Sequence, residues 1–460
     1  MWVTVAQFLL SLSILIVLHE FGHFGAAKWF KTRVEKFYLF FNPGFSLFKF
    51  QKGETEYGLG WLPLGGYVKI SGMIDESFDK EQMKAPPKPY EFRSKPAWQR
   101  LIIMVGGVTV NFILGILLFS LIFFVWGEMY IPNEKVEEGI AVSAMGAEMG
   151  LMDGDKIISV GEKKFERFRS GILSKEIIIN QADNIKVNRS GQIVDIPVDP
   201  RFIKDLTKFE NRNQQLIYLK YPAEVGYFDS TSPAKAKENG IQLGDRIIKV
   251  NGEAISYAHE FQKVLLKAEG EQMNFTLLRS GDTLDIAYNT MFDQPRSLIQ
   301  KLRGEDPEKK RRIGFWIEDS SKYYDYEKES YGLLEAFPKG MAMSWEFLTD
   351  QLKAFGQMFE GNIEVKESLG SFITIGKMFG TNWDWRRFWY MTASLSILLG
   401  FLNLLPIPAL DGGYVMFLIF ETITGQKVPD RVMEIANMIG FFLLILLMIY
   451  ALGLDISRLF

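Results

Sequence analysis

Two histidines four residues apart, with a glutamate between them, stand at His19-Glu20-Phe21-Gly22-His23. On a helix this spacing puts both imidazoles on one face, one turn apart, where they can grip one metal ion. Glu20 lies one step round the helix and can reach a water on that ion. The alternative is a pair of core histidines with satisfied ring nitrogens. The chain has 460 residues and only three histidines, and two of them fall in this pattern, which favours the metal. Cysteine is absent. There are therefore no disulfides and no thiolate zinc sites, and a metal must take histidine and carboxylate. The third histidine, His259, has no ligand partner at helical spacing and is expected on the surface of a soluble domain.

A second polar element lies near the C-terminus, in Leu402-Asn-Leu-Leu-Pro-Ile-Pro-Ala-Leu-Asp-Gly-Gly413. Pro406 and Pro408 must break a helix inside apolar surroundings, so freed backbone groups there face protein or water and not lipid. Asp411 is either the N-cap of the next helical piece or a third metal ligand. Two histidines and one carboxylate leave the fourth tetrahedral position for water, as catalytic zinc requires.

These groups need membrane-spanning helices to carry them. Trp2 to Phe30 is long enough to cross a bilayer. A signal peptide is its rival, but no basic residue precedes the apolar run and no small-residue cleavage site follows it. Ionisable groups inside a span each cost on the order of 3 kcal/mol on insertion scales, so they need a functional reason. Residues 31–96 are rich in Lys and Arg, which places them in the cytoplasm and the N-terminus outside. Within them, alternation around Lys52-Gly53-Glu54 predicts a β-hairpin. The stretch Gly58-Leu-Gly-Trp-Leu-Pro-Leu-Gly-Gly-Tyr-Val-Lys-Ile70 is too short to span. It reads as a membrane-associated loop beside the metal site, where Gly58, Gly60, Gly65 and Gly66 let an extended substrate pair with its edge. An ordinary soluble hairpin is the alternative. Ala85-Pro-Pro-Lys-Pro89 reads as a stiff linker.

The second span covers 97–126, with Gly106, Gly107 and Gly115 allowing close helix packing and Asn111 as an internal polar group. Asn111 serves either a helix–helix hydrogen bond or the active site, steadying substrate or an oxyanion. The third span, 386–425, enters again from outside. It brings Asn403, Pro406, Pro408 and Asp411 to the cytoplasmic side, where Lys427 and Arg431 follow. The fourth, 429–454, returns the C-terminus outside.

Between spans two and three, two blocks recur at an offset of 90 residues. Gly154-Asp-Lys-Ile-Ile-Ser-Val160 returns as Gly244-Asp-Arg-Ile-Ile-Lys-Val250, and Arg189-Ser-Gly191 as Arg279-Ser-Gly281. That argues for duplicated domains, 127–220 and 221–320, and against a solenoid of shorter period. Val250-Asn-Gly252 marks a hairpin turn. The stretch from Ser232 to Gly252 resembles the core of a PDZ domain, and Ala147 to Asp155 resembles a poorer copy. The resemblance implies that peptide ends bind by strand addition, with Val225, Gly226, Tyr227 and Phe228 as the ligand loop, or that the pair only restricts access. Lys309-Lys-Arg-Arg312 reads as a solvated turn. Within the connector 321–385, Leu334, Phe337, Met341, Trp345, Leu348, Leu352 and Phe355 predict an amphipathic helix, lying on the membrane or packed on the PDZ-like pair. Net charge is −3 and the pI is about 5.9, so nothing attracts nucleic acid in general. Mean hydropathy is +0.03, an average of greasy ends and a polar middle.

Taken together, H-E-x-x-H, Pro63-Leu-Gly-Gly-Tyr67, Lys95-Pro-Ala-Trp-Gln-Arg100, Asn111, the two PDZ-like copies and Asn403-x-x-Pro-x-Pro-x-Leu-Asp-Gly412 resemble the site-two protease family of intramembrane zinc metalloproteases over essentially the whole chain. The fold expected is a polytopic α-helical membrane protein of four transmembrane helices, with a membrane-associated β-hairpin and two extracytoplasmic PDZ-like α+β domains. The resemblance implies one Zn2+ on His19, His23 and Asp411, Glu20 as the catalytic base, and Asn403 with Asn111 near the substrate or oxyanion. It also implies a bacterial inner-membrane protein with both termini and the PDZ-like pair periplasmic. Its substrates would be transmembrane helices of single-pass proteins already trimmed outside, namely an anti-sigma factor of envelope stress and remnant signal peptides. Two positions depart from the family pattern: Gly106-Gly107-Val108 replaces Ala-Gly-Pro, and Gly370-Ser371 replaces Gly-Pro. A catalytically inactive membrane tether presenting PDZ domains and a metal transporter are the competing readings.

Overall fold

A computed structural model of the chain describes residues 2–63, 65–73, 86–211, 214–230, 232, 234–292 and 311–458. Leu64, Ala85, Pro233, Lys309 and Lys310, which belong to motifs read from the sequence, lie outside them. The chain divides into two compact units, residues 1–128, 329–356 and 368–459 in one, and 129–328 with 357–367 in the other.

The first unit begins with α1 (Trp2–Trp29), an unbroken helix without internal proline. Its buried stripe is polar where a soluble helix would be apolar: Gln7, Ser11, His19 and His23 recur at multiples of four, joined by Leu15. Trp2, Phe21 and Trp29 are exposed. Polar side inward and apolar side outward is the arrangement that lipid demands.

Next comes a four-stranded sheet in the order β2-β3-β1-β4, formed by β1 (Val34–Leu39), β2 (Phe48–Lys52), β3 (Thr55–Leu59) and β4 (Tyr67–Ile70). The expected hairpin is β2–β3, turning at Gly53 with φ +61°. The reading of 58–70 as one loop is corrected. Its ends are strands, and β1 lies parallel to β3 and antiparallel to β4. The glycines and Pro63 between β3 and β4 had hidden both.

Helix α2 (Ala97–Trp126) starts after Pro96 and ends at Gly127 with φ +66°. Gly106 and Gly107 let it close onto α1: a Cβ at Gly22 would lie within the Gly106 backbone. Phe92, Ile103 and Met104 join Ala27, Val34, Ile70, Tyr414, Val415 and Leu418 in one core cluster.

The second unit holds the repeat. The first copy comprises β5 (Lys156–Val160), β6 (Lys163–Lys164), α3 (Gly171–Asn180), β7 (Asn184–Arg189) and β8 (Gln192–Pro197). The second comprises β9 (Val225–Phe228), β10 (Arg246–Val250), β11 (Glu253–Ala254), α4 (Ala258–Lys267), β12 (Gln272–Arg279), β13 (Asp282–Asn289) and β14 (Phe315–Ile317). The sheets have matching orders, β8-β7-β5-β6 and β13-β12-β10-β11. Both copies carry the same clamp. Arg189 grips buried Asp155 through Nε and Nη2 at 2.8 Å, and Arg279 grips Asp245 at 2.7 Å. Asn251 and Gly252, both at positive φ, make the expected turn.

Two expectations for this unit are corrected. Arg311 is no part of a solvated turn, since its guanidinium donates to the carbonyls of Gly270 and Ala268 at 2.7 Å. His259 is half-buried and not free on the surface. Its ring stacks on Tyr218 at 4.7 Å and on Tyr257 at 6.0 Å, and its Nδ1 is buried without a partner. Burial pushes its pKa below the ordinary 6.5, and Lys263 adds to that, against the opposing pull of Glu260 and Asp153. The neutral ring is the folded form, so its contribution to stability is complete above the unfolded pKa and is lost as pH falls through the folded one. Thermal unfolding of the full chain should therefore show this unit weakening as pH drops from about 7.5 to 5. In His259→Phe, which keeps the stack, that slope should flatten; an unchanged slope would assign it to other groups.

The chain then returns to the first unit. Helix α5 (Leu333–Phe359) is amphipathic as predicted. Most of the apolar stripe read from the sequence is exposed, with Leu334 90% and Trp345 67% accessible, while Leu348 packs against the cluster of Leu118, Phe119 and Ile397 and Phe355 lies 5.8 Å from the Phe401 ring. The helix packs through Met343, Phe347 and small residues as well: Ala336 and Ser344 are buried, and a Cβ at Gly340 would meet Ser120 of α2. Then follow α6 (Phe372–Met378), α7 (Trp385–Leu404), α8 (Asp411–Thr424) and α9 (Asp430–Ser457). Ser371 caps α6, and both its N–H and Oγ donate to Asp455 of α9, at 2.9 and 2.5 Å. Proline, which the resemblance leads one to expect at that position, has no N–H to give. Among the described residues, three helices are long and apolar enough to cross a membrane: α1, α2 and α9. The stretch expected as a third span is two helices, the 20-residue α7 and the 14-residue α8, with the proline break between them.

Candidate metal centre

His19 and His23 sit on α1, and Asp411 is the first residue of α8. The N-cap of α8 is Leu410, with no side-chain cap bond, so Asp411 is not spent on capping. Its Oδ2 lies 3.3 Å from His19 Nε2 and 3.3 Å from His23 Nε2, and the two Nε2 atoms are themselves 3.3 Å apart. Donors about 2.0–2.1 Å from a tetrahedral ion are separated by about 3.3–3.4 Å, so three edges of such a tetrahedron are already in place. Asp411 Oδ2 is buried and has no hydrogen-bond partner. A buried carboxylate oxygen facing two imidazole nitrogens fits a cation. The donor set of two nitrogens and one oxygen suits zinc.

The rest of the fold holds these donors. His23 Nδ1 is 2.9 Å from the Ile103 carbonyl, which fixes its ring. Asn111 Nδ2 is placed 3.0 Å from His19 Nδ1. Gly107 leaves room for both rings, since a Cβ there would collide with His23 Nε2 and lie 2.8 Å from His19 Cε1. At the start of α8, Gly412 and Gly413 fit against the carbonyls of Leu405 and Ile407, so the turn carrying Asp411 has no space for side chains there. Arg100 of α2 pairs with Glu421 of α8 at 2.5 Å, with both side chains nearly buried, and ties the aspartate's helix to α2.

The other residues singled out in the sequence are distributed unevenly around this centre. Asn403 Nδ2 is 3.3 Å from His19 Nε2, beside the donors. Pro406 and Pro408 lie in the break that delivers Asp411. Glu20 follows His19, and its carboxylate takes a hydrogen bond from the backbone of Val68 in β4. Gly66 is packed on α1, where a Cβ would meet Ile16 Cγ2 at 2.5 Å, and it brings β4 to Glu20. Gly65 has φ +152°. Gly58 and Gly60 are corrected as edge residues. Gly58 lies in β3, between β1 and β2, and a Cβ there would strike the Tyr38 ring. A Cβ at Gly60 would strike the backbone of Phe40 and Phe41. The loop Val225-Gly226-Tyr227-Phe228 is also corrected. It is strand β9, paired along β14, and Val225 bonds on its other side to Gly244 and Asp245. β14 pairs with β9 on one side, and its Phe315 faces Phe261 of α4 with ring centroids 6.1 Å apart; β13 is likewise an outer strand, paired with β12 alone among the described residues. Sequence reasoning missed the Ile103 carbonyl and the Val68 backbone, which are main-chain groups with no residue signature. Gly107 had been noticed only as a packing glycine.

The sequence profile of peptidase family M50 matches residues 7–447. The regulator of sigma-E protease RseP of Escherichia coli is 29% identical over 99% of this chain and 98% of that protein. A Neisseria meningitidis protein whose name assigns it provisionally to the zinc metalloproteases is 30% identical over 99% of both chains. The regulator of sigma E protease of Haemophilus influenzae is 27% identical, again over 99% of both.

Proposed function

We propose, for a chain that belongs to peptidase family M50 and is a membrane-embedded zinc metalloprotease, that His19, His23 and Asp411 hold the zinc and Glu20 is the general base. The observation that carries this is the triangle of donors 3.3 Å apart, with the unpartnered Asp411 oxygen at one corner. Zinc held by these three residues would act as a Lewis acid and make a bound water more acidic, with a pKa of about 7. Glu20 is the residue that would take a proton from the attacking water and return it to the departing amine, which leaves proton number unchanged over the cycle. Asn403, whose amide nitrogen stands beside His19, is positioned to donate to the carbonyl oxygen under attack.

A helical substrate hides its peptide bonds inside its own hydrogen bonds and must unwind. β4 is the outer strand of its sheet and lies next to Glu20, so an unwound segment adds along it and is held extended. The four spans of this reading are α1, α2, α7 and α9, with the duplicated unit periplasmic and the metal toward the cytoplasmic side. The repeat units act as PDZ-like domains that filter by size or take peptide ends. Any such ligand adds to β14, opposite α4, and not to 225–228. The substrates are single-pass proteins already cut outside, such as an anti-sigma factor or a remnant signal peptide; the name of the Escherichia coli relative, which ties that protein to sigma-E regulation, supports the first of these.

The test uses the purified full chain with a model transmembrane substrate, with zinc content measured alongside. Wild type should carry about one zinc and cut, and Asp411→Ala should lose both. An Asp411→Ala protein that keeps its zinc and its activity would remove the basis of this assignment.

A further inference from the structure

We propose that Asn111 is a positioning residue for the metal centre, its amide oxygen accepting the Nδ1 proton of His19 and so turning His19 Nε2 toward the ion. This rests on the ligand assignment above and deepens it. Asn111 is completely buried in α2. Its own carbonyl accepts from Ser396 Oγ of α7 at 2.7 Å, and Gly400 of α7 packs beside its Cβ. The amide is therefore wedged between three helices and does not reach a substrate.

The two ends of an asparagine amide are assigned from their surroundings and not seen directly. As placed, Nδ2 faces His19 Nδ1 at 3.0 Å while Oδ1 has no partner. Nδ2 can only donate, which would require a bare Nδ1 and put the ring's proton on Nε2. However, Nε2 is the atom that faces Asp411 and His23 at 3.3 Å. A nitrogen that binds a cation must be bare, so the proton belongs on Nδ1, and Nδ1–H needs an oxygen. Turning the amide supplies it. The turn exchanges one unpaired buried atom for another, so hydrogen-bond number is neutral and the tautomer decides. His23 provides a parallel within the same site, as its Nδ1 faces an oxygen, the Ile103 carbonyl at 2.9 Å. α2 thus offers one acceptor to each histidine, from its main chain for His23 and from a side chain for His19.

The experiment measures zinc affinity of the purified full chain by competition with a graded series of chelators. The absorption spectrum of the cobalt-substituted protein serves as a second readout, and neither depends on turnover. Asn111→Leu keeps the shape and loses the acceptor, and its zinc affinity should fall about 10- to 100-fold, with a shifted cobalt spectrum. Asn111→Asp keeps an acceptor oxygen and should hold zinc at least as well as wild type. Asn111→Leu with wild-type affinity, or Asn111→Asp as weak as Asn111→Leu, would overturn the proposal. If Asn111→Leu does not fold, Asn111→Asp decides alone, and a tenfold loss in it counts against the proposal. Asp411→Ala is measured in parallel. If it binds zinc as wild type does, the ligand assignment has failed; if it loses zinc while Asn111→Leu keeps it, only the role of Asn111 has failed.

Discussion

Glu20→Gln should leave zinc bound and stop peptide-bond cleavage. The three donor atoms that lie within reach of one another come from His19, His23 and Asp411, and Glu20 supplies none of them, so removing its charge takes away no ligand. What it takes away is a proton acceptor. Gln is nearly the same size and can keep the contact with the Val68 backbone through its amide oxygen, so β4 need not move. An amide is not a base at neutral pH. The water would then be deprotonated without help, and the departing amine would leave without a proton. A positioned general acid–base contributes about 10²–10⁴-fold to rate, so cleavage of a transmembrane substrate should fall by about that factor or more, with zinc near one per chain. The same experiment separates the three classes of function. A membrane tether would be indifferent to Glu20→Gln. A metal transporter would follow ligand loss and not base loss. Equal cleavage by Glu20→Gln and wild type would end the protease mechanism as drawn here.

The chemistry was more legible in the sequence than the surfaces around it. His19 and His23 announce themselves because a helix converts spacing into direction: four residues is one turn, whatever surrounds it. Asp411 was reachable because two prolines within an apolar run leave few explanations other than a built site. The sheet of the first unit was harder. β1 pairs parallel with β3, a contact that no local turn encodes, and the glycines of 58–66 read as freedom when each fills a tight contact. Gly58 and Gly60 are small because Tyr38 and the Phe40–Phe41 backbone lie against them, which only the folded sheet reveals. The stripe on α5 was legible as an amphipathic helix, but its cover was not. Periodicity finds an apolar face but does not say whether protein or lipid covers it, and here Ala336, Gly340, Ser344 and Leu348 contribute to the protein contact. In the second unit, the repeat located matching strands 90 residues apart, yet it did not reveal what pairs with β9. That depends on β14, more than 85 residues after β9, folding back to pair with it. The half-buried setting of His259 was not legible because its stacking partners are aromatic rings, which no ligand spacing reveals.

Gly107→Ala should abolish zinc binding, and the expectation runs against ordinary helix energetics. In the interior of a helix, alanine is favoured over glycine by about 1 kcal/mol, so propensity alone says the substitution stabilises α2. At Gly107 the added methyl points at the centre itself. It would overlap His23 Nε2 and stand 2.8 Å from both His23 Cδ2 and His19 Cε1. Neither ring can step aside at small cost. His23 Nδ1 is held at 2.9 Å by Ile103, His19 Nδ1 is 3.0 Å from Asn111, and α1 cannot back away without opening its contact at Gly22 and Gly106. The ring that yields takes its Nε2 out of the 3.3 Å triangle, and a site left with two good ligands should lose zinc by at least about 100-fold, with cleavage lost in step. Gly25→Ala in α1 is the matched control, because a Cβ there meets nothing within 4 Å. That variant should keep its zinc and unfold no more easily than wild type. The two substitutions add the same methyl to two neighbouring helices, so any difference in zinc affinity between them reports position alone. A Gly107→Ala protein that binds zinc as tightly as Gly25→Ala would mean that the imidazoles approach the ion from a side that α2 does not crowd, and the triangle with Asp411 would have to be drawn again.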